Sequence, residues 1–260
     1  FTMEVDKIAE DNALTELVEG YTRWFYHQMD TIKVSSHEYA HLLEERGFDA
    51  SKIHFLSKAI DTELFSYKES AKEKLLQQLN VSDGINLLYA GRISKDKHMD
   101  LLMEIYKNLS QKRSDVNLII VGDGPYFQAL KEKMEGFDRV FFTGKIPRRD
   151  LPEIYSSSDV FVFPSTTDTF GMVVMEAQSC GLPSVVSSVG GPKEILIDGK
   201  TGYIVQNGNV NEWVEKIEAL IELKENQPLQ FSEIKKRARL NVLDKYNWDN
   251  CLETIVDSRN

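Results

Sequence analysis

The chain has 260 residues, with 31 Lys and Arg against 41 Asp and Glu for a formal net charge of -10, and 42% of its residues are hydrophobic. That composition is globular rather than disordered, and it is long enough for one large domain or two unequal ones with a substantial core. The cations are scattered rather than massed, which argues against a nucleic-acid or anionic-membrane surface, while a small cationic site for a nucleotide remains compatible with the acidic total.

From the start, the acidic stretch Phe1 to Glu10 lacks the pattern of a signal sequence, and the absence of an initiator Met suggests a piece of a longer protein. Residues 14–29 carry a helical pattern, 31–34 a strand, 36–46 a helix and 52–56 a second strand. Two short strands cannot make a sheet that stands alone, so residues 1–65 are expected to form the closing part of an α/β domain and a hinge. Residues 61–69 form the connector, and a helix at 70–79 precedes the next domain.

From residue 81 onward, short β-branched and aromatic runs alternate with amphipathic stretches. Strands are expected at 86–90, 116–121, 140–142, 160–163, 184–187 and 203–205, with helices at 100–111, 126–134, 151–156, 172–180 and 192–197. Alternation of this kind predicts α/β architecture with a doubly wound, Rossmann-like parallel sheet over 66–245. Helices follow at 210–224 and 232–243, and residues 246–260 hold a last one. The two cysteines, Cys180 and Cys251, are too few for a disulfide framework, so a reducing, cytoplasmic setting is expected. No apolar run approaches the ~20 residues needed to span a bilayer.

In a doubly wound sheet, ligands sit beyond the carboxyl ends of the strands. After the strand ending at Ala90 comes Gly91-Arg92-Ile93-Ser94-Lys95-Asp96-Lys97, where Arg92 offers a planar fork for phosphate oxygens and Lys97 a compact charge. Two solvated surface cations are the plainer reading of this loop alone. After Val121, Gly122-Asp123-Gly124-Pro125 permits close backbone approach and places Pro125 to suit a helix's first turn. It is not a dinucleotide fingerprint, because Phe127 stands where the third glycine would fall. An ordinary turn explains it equally well. The loop Thr143-Gly144-Lys145-Ile146-Pro147 could carry a nucleobase on its amides and carbonyls.

In the segment 164–176, the free amides of a helix opening at Gly171 could receive phosphate or sugar oxygens, with Asp168 just before the turn and Glu176 on the second turn. Taken alone, Asp168 reads as a helix cap and Glu176 as a solvated residue.

Together these loops resemble the donor-binding domain of family 4 retaining glycosyltransferases of the GT-B fold, from about Tyr21 to the C-terminus. The segments Ala59-Ile60-Asp61-Thr62-Glu63-Leu64-Phe65, Val189-Gly190-Gly191-Pro192-Lys193-Glu194-Ile195 and Tyr246-Asn247-Trp248 share the resemblance. It implies that residues 1–65 end an acceptor-side domain, that 66–245 bind a nucleotide-sugar, and that 246–260 form a helix crossing back. It further implies that Arg92 and Lys97 hold the donor diphosphate, that Glu176 holds the ribose hydroxyls, and that Asp168 with the amides of Phe170, Gly171 and Met172 holds the sugar and phosphate. Gly91, Gly122, Gly124, Ile146 and Val173 complete the expected donor pocket.

The implied activity is transfer of a hexose, with retention, from a nucleotide diphosphate sugar to an unidentified acceptor, without a metal or other cofactor. Two residues depart from the family's pattern: Asp168 stands where Glu is usual, and His98 where glycine is common. The family's N-terminal glycine-rich loop and acceptor-side histidine have no counterpart, so the chain is expected to bind donor yet be inactive alone. Any peripheral membrane contact would come from the missing region. A GT-B nucleotide-sugar epimerase and a non-catalytic nucleotide-sugar-binding domain are the alternatives.

Overall fold

A computed structural model describes residues 12–69, 71, 81 and 83–257. The helix expected at 70–79 lies outside the described residues, apart from the single position 71.

The first part contains α1 (Asn12–His27), β1 (Ile32–Val34), α2 (His37–Glu45) and β2 (Ile53–Phe55). Strands β1 and β2 pair in parallel, Ile32 with Ile53 through Val34 with Phe55, so α2 is the crossover of a βαβ unit. Ser36 starts α2 by accepting the Tyr39 amide on its side chain.

The larger part alternates β3 (Ile85–Ala90), α3 (Met99–Lys112), β4 (Val116–Val121), α4 (Phe127–Lys133), β5 (Val140–Gly144), α5 (Leu151–Ser157), β6 (Val160–Phe163), α6 (Met172–Ser179), β7 (Ser184–Ser187) and β8 (Gly202–Val205). All six strands are parallel, in the order β5-β4-β3-β6-β7-β8. This is the doubly wound arrangement expected from the alternation. Every residue of β3, β4, β6 and β7 is buried, which is why these strands read as continuous apolar runs, while β5 at one edge is only half-buried. Helices α7 (Val210–Asn226), α8 (Pro228–Lys245) and α9 (Trp248–Asp257) complete the chain, and Pro228 in the first turn of α8 separates it from α7.

Two local expectations are corrected. The helix expected at 192–197 is a five-residue 3-10 turn, Gly191–Ile195, pinned at its start by the Gly191 amide on Asp168 O and too short for an α-helical ladder. Pro125 stands in the turn before α4, which begins at Phe127, rather than within the helix.

Where the two sheets meet, the carboxylate of Glu194 accepts the amides of His37 and Glu38 at 2.9 and 2.8 Å, capping α2 from the other sheet's loop. Glu38 in return accepts the Gly190 amide at 2.8 Å and pairs with Lys193. The C-terminal segment lies against the connector: the Ile60 amide donates to Tyr246 O, and the Cys251 thiol to Ser57 O.

Candidate functional site

Strand order reverses between β3 and β6, which leave the centre of the sheet in opposite directions along the chain. The loops after these two strands therefore diverge and open a crevice at their carboxyl ends. The neighbouring loop after β4 closes down on the loop after β3. A Cβ on Gly122 would lie 1.8 Å from Gly91 O, and one on Gly124 2.3 Å from Ile93 O, so both positions require glycine for this approach. The Ile93 amide donates to Asp123 O and the Tyr126 amide to Ile93 O, locking the two loops together.

The two cations after β3 do converge, through a carboxylate the sequence pattern did not single out. Arg92 Nη2 lies 3.2 Å and Lys97 Nζ 3.8 Å from Asp96 Oδ2. Burial pushes the Asp96 carboxyl up, but a Ser94 hydrogen bond and the charges of Lys97 and Arg92 outweigh it and hold it below its ordinary value. Arg92 is half-exposed, as the plainer reading had it; Lys97 is not a solvated surface cation, because only 13% of its side chain is accessible. Its ammonium reaches across the crevice to Asp168 Oδ2 at 2.8 Å and to Thr167 Oγ1 at 3.1 Å.

His98, directly after Lys97, adopts a left-handed backbone with φ 55° and ψ 42°, and its Nε2 lies 2.8 Å from Thr166 Oγ1. That backbone accounts for the fit of glycine at this position.

Asp168 does not cap α6. It accepts from Lys97 and from Ser165 Oγ at 2.6 Å, while Gly171, at φ 93°, occupies the cap position itself. A Cβ there would meet the Pro192 ring at 2.8 Å, so the 3-10 turn backs the start of α6. The first intrahelical bonds run from the Val174 and Met175 amides to Gly171 O, placing the amides of Met172 and Val173 in the free first turn at the crevice end of α6.

Glu176 is not a solvated residue: it is 6% exposed, accepts from Tyr155 Oη at 3.1 Å, and has Arg148 Nη2 at 3.7 Å from Oε1. Burial pushes its carboxyl above the ordinary range, with the Tyr155 hydrogen bond and the Arg148 charge offsetting only part of the effect. Tyr155 and Tyr89 also escaped the sequence reading, since neither stands in a strand-end loop. The Tyr89 phenol donates to Arg92 O at 2.9 Å, and burial followed by the charges of Asp168 and Asp96 raises its own titration.

A cleft of about 480 Å³ opens between these loops, lined by Gly91, Arg92, Gly122, Gly124, Ile146 and Val173 together with Ala90, Asp123, Lys145 and Tyr155. The structure thus gathers six of the expected donor-pocket residues on one surface. Lys97 and Asp168 meet across the crevice outside the cleft's lining, and Glu176 joins the cleft only through the hydrogen bond from Tyr155. The Phe170 ring does not face this cleft: it packs edge-on against Tyr246 and lines a second cleft of about 900 Å³ with residues of α2, which leaves its backbone, not its side chain, near the first turn of α6.

Among the described residues, no three His, Cys, Asp or Glu side chains gather as a metal site, and no helix is long and apolar enough to cross a membrane.

The chain is 32% identical over 203 residues to a sulfoquinovosyl transferase of Arabidopsis thaliana, the match covering 76% of this chain and 38% of that protein. It is 27% identical over 209 residues to a GDP-mannose-dependent phosphatidylinositol monomannoside mannosyltransferase of Mycolicibacterium smegmatis, covering 76% of this chain and 54% of the relative. The chain therefore spans about half or less of the length of these curated relatives. Among solved structures, Anabaena HepE in complex with UDP-glucose superimposes with a TM-score of 0.82 at 22% identity, covering 93% of this chain and 66% of the other. Sucrose-phosphate synthase of Thermosynechococcus elongatus gives 0.81 at 24% identity, covering 98% and 64%. Both share the GT-B fold with this chain. Residues 71–238 match the family model of the glycosyl transferases group 1, and the chain belongs to that family of transferases.

Proposed function

We propose that the protein is a retaining family 4 hexosyltransferase of the cytoplasm that uses a nucleotide diphosphate sugar and needs no metal. The observation that carries this reading is the Lys97–Asp168 contact at 2.8 Å, which sets an ammonium and a carboxylate side by side at the switch point, beside the open first turn of α6. The donor diphosphate takes its place between Arg92, Lys97 and the amides of Phe170 to Val173. Glu176 accepts the ribose hydroxyls, and Asp168 accepts hydroxyls of the sugar.

When the bond between the sugar's anomeric carbon and the phosphate oxygen breaks and the acceptor oxygen bonds to that carbon, negative charge collects on the departing diphosphate. Fixed cations and helix-start amides stabilise that charge more in the transition state than in the bound donor, which is the condition for a rate effect. The UDP-glucose held by Anabaena HepE supports a nucleotide-sugar as donor.

The test is a thermal-shift titration with UDP-glucose, GDP-mannose and ADP-glucose. A ligand at 100 times its dissociation constant stabilises the native state by about 2.7 kcal/mol. Stabilisation by one of the three, lost in Lys97→Ala, is expected; none with any of them would overturn the reading. Release of an altered nucleotide-sugar in the absence of any acceptor would mark an epimerase instead.

A further inference from the structure

We propose that Arg148 is a positioning residue for the nucleotide: its guanidinium, seated between the ring of Phe65 and the buried carboxylate of Glu176, keeps that carboxylate ionised and oriented to accept a ribose diol. The proposal rests on the reading of Glu176 as the ribose acceptor. Arg148 opens the 3-10 turn Arg148–Asp150 after β5, with its Cζ 4.9 Å from the centre of the Phe65 ring and Nη2 3.7 Å from Glu176 Oε1. Phe65 is fully buried and fixed, since its carbonyl accepts from Ser179 Oγ at 2.6 Å and Arg239 Nη1 at 3.0 Å, and its ring meets Tyr155 edge-on. A planar, permanently charged group resting on an immobile ring is held in place without being buried itself.

Glu176 needs such a neighbour. A carboxylate that is 6% exposed pays for its charge unless a cation or donors face it, and the alternative is to take up a proton. Tyr155 from α5 supplies one donor and Arg148 the facing charge. Just past the end of its own helix the next titratable group is Cys180, near which stand Lys68 of the connector and Arg239 of α8. Of these, Tyr155 and Arg148 oppose the upward push of burial on Glu176, and Arg148 alone carries charge. Protonated Glu176 would present a donor where a diol needs an acceptor. An exposed ion pair with no such role is worth almost nothing.

The test is calorimetry from about pH 8 down to the ordinary glutamate value of 4.5, above which a raised carboxyl titrates, on the native protein, Arg148→Ala, Arg148→Lys and Glu176→Gln. The probe is whichever of UDP-glucose, GDP-mannose and ADP-glucose binds the native protein most tightly. All carry the ribose diol, and their doubly esterified diphosphate has no ionisation near neutrality.

Arg148→Ala is expected to bind about tenfold more weakly near neutral pH, the scale of one charge-assisted hydrogen bond, and to lose affinity at a higher pH than the native protein as acid is added. Arg148→Lys should restore part of both, and Glu176→Gln should remove the pH dependence. A profile for Arg148→Ala parallel to the native one overturns the proposal while leaving the donor site intact. Failure of the native protein to bind any of the three probes overturns it together with the reading beneath it.

Discussion

Lys97 Nζ lies 2.8 Å from Asp168 Oδ2, although 71 residues separate the two in the chain. Sheet order makes the contact: β3 and β6 are hydrogen-bonded neighbours, so the loops leaving their ends face one another across the crevice. The same Asp168 oxygen accepts from Ser165, and Thr167 adds a hydroxyl toward Lys97 and Asp96 O, so the pair sits in a fixed network rather than on two free side chains. An incoming diphosphate shares Lys97 with Asp168 and finds it already oriented. In a transferring enzyme that contains this chain, Lys97→Ala and Arg92→Ala are each expected to lower turnover by about 10²-fold or more. The double variant Lys97→Ala, Asp168→Ala should lose less than the sum of the single losses, because the two groups act on each other. Steady-state kinetics on the native protein, the three single variants Arg92→Ala, Lys97→Ala and Asp168→Ala, and the double variant checks both statements, and native-like turnover in either cation variant would remove that cation from the site.

The two carboxylates should separate by ligand. Glu176 accepts a hydrogen bond from Tyr155, which lines the cleft, whereas Asp168 stands across the crevice beside Lys97. Glu176→Ala is expected to weaken the nucleoside diphosphate and its sugar conjugate alike, by roughly 1.5 to 3 kcal/mol for charged hydrogen bonds. Asp168→Ala should weaken mainly the sugar conjugate. Calorimetry with UDP and UDP-glucose reads the difference, and the reverse pattern would exchange the partners assigned to the two residues.

Gly122 offers a test of loop packing with an internal control. Its backbone is left-handed at φ 131° and a Cβ would fall 1.8 Å from Gly91 O, so alanine must push the loops after β3 and β4 apart. Gly208 has φ 79° with open space around it, so alanine there meets only the backbone penalty, about 1 kcal/mol. Gly122→Ala should therefore lower the melting temperature more than Gly208→Ala and should also weaken donor binding, which Gly208→Ala should leave unchanged. Equal effects on melting would mean that the two loops can part at little cost.

Much of this site was legible because loops at strand ends carry distinctive residue types. The doubly wound sheet followed from buried apolar runs such as Leu87 to Ala90 and Val116 to Val121, whose alternation with helical patterns permits few other folds. Gly122 and Gly124 announced close approach, and the structure finds both pressed against the loop after β3, while Gly171 opens α6 as its place before the apolar helix suggested. Asp96 was hidden because a carboxylate between cations reads as local charge balance, and only its placement shows that it gathers Arg92 and Lys97. Tyr155 and Arg148 were hidden for another reason. Both lie on the segment after β5, far from Glu176 in sequence, and only the packing of α5 against α6 brings them to it. The burial of Glu176 was equally invisible, since a glutamate on a short helix reads as solvated until the helix is known to be covered.

That burial sets up a trade between stability and binding. The Glu176 carboxyl is held above its ordinary value chiefly by desolvation, against the Tyr155 and Arg148 contributions. The folded protein therefore binds more protons than the unfolded chain between the ordinary value and the raised one, so stability falls as pH rises through that window and stays lower above it. This is opposite to a salt-bridged carboxylate, which adds stability above its unfolded value. Glutamine carries no charge at any pH and keeps an oxygen for Tyr155 Oη, so Glu176→Gln escapes the loss. Its melting temperature is expected to exceed that of the native protein at about pH 8, with the gap narrowing as pH is lowered through the window. At the same high pH its affinity for a nucleotide-sugar should be weaker, since an amide accepts hydrogen bonds from the ribose hydroxyls less strongly than a carboxylate does. Thermal melts and calorimetry on the two proteins across pH test both halves. A melting gap that does not change with pH, or a Glu176→Gln variant less stable at high pH, would show that the buried charge is fully compensated in the absence of donor.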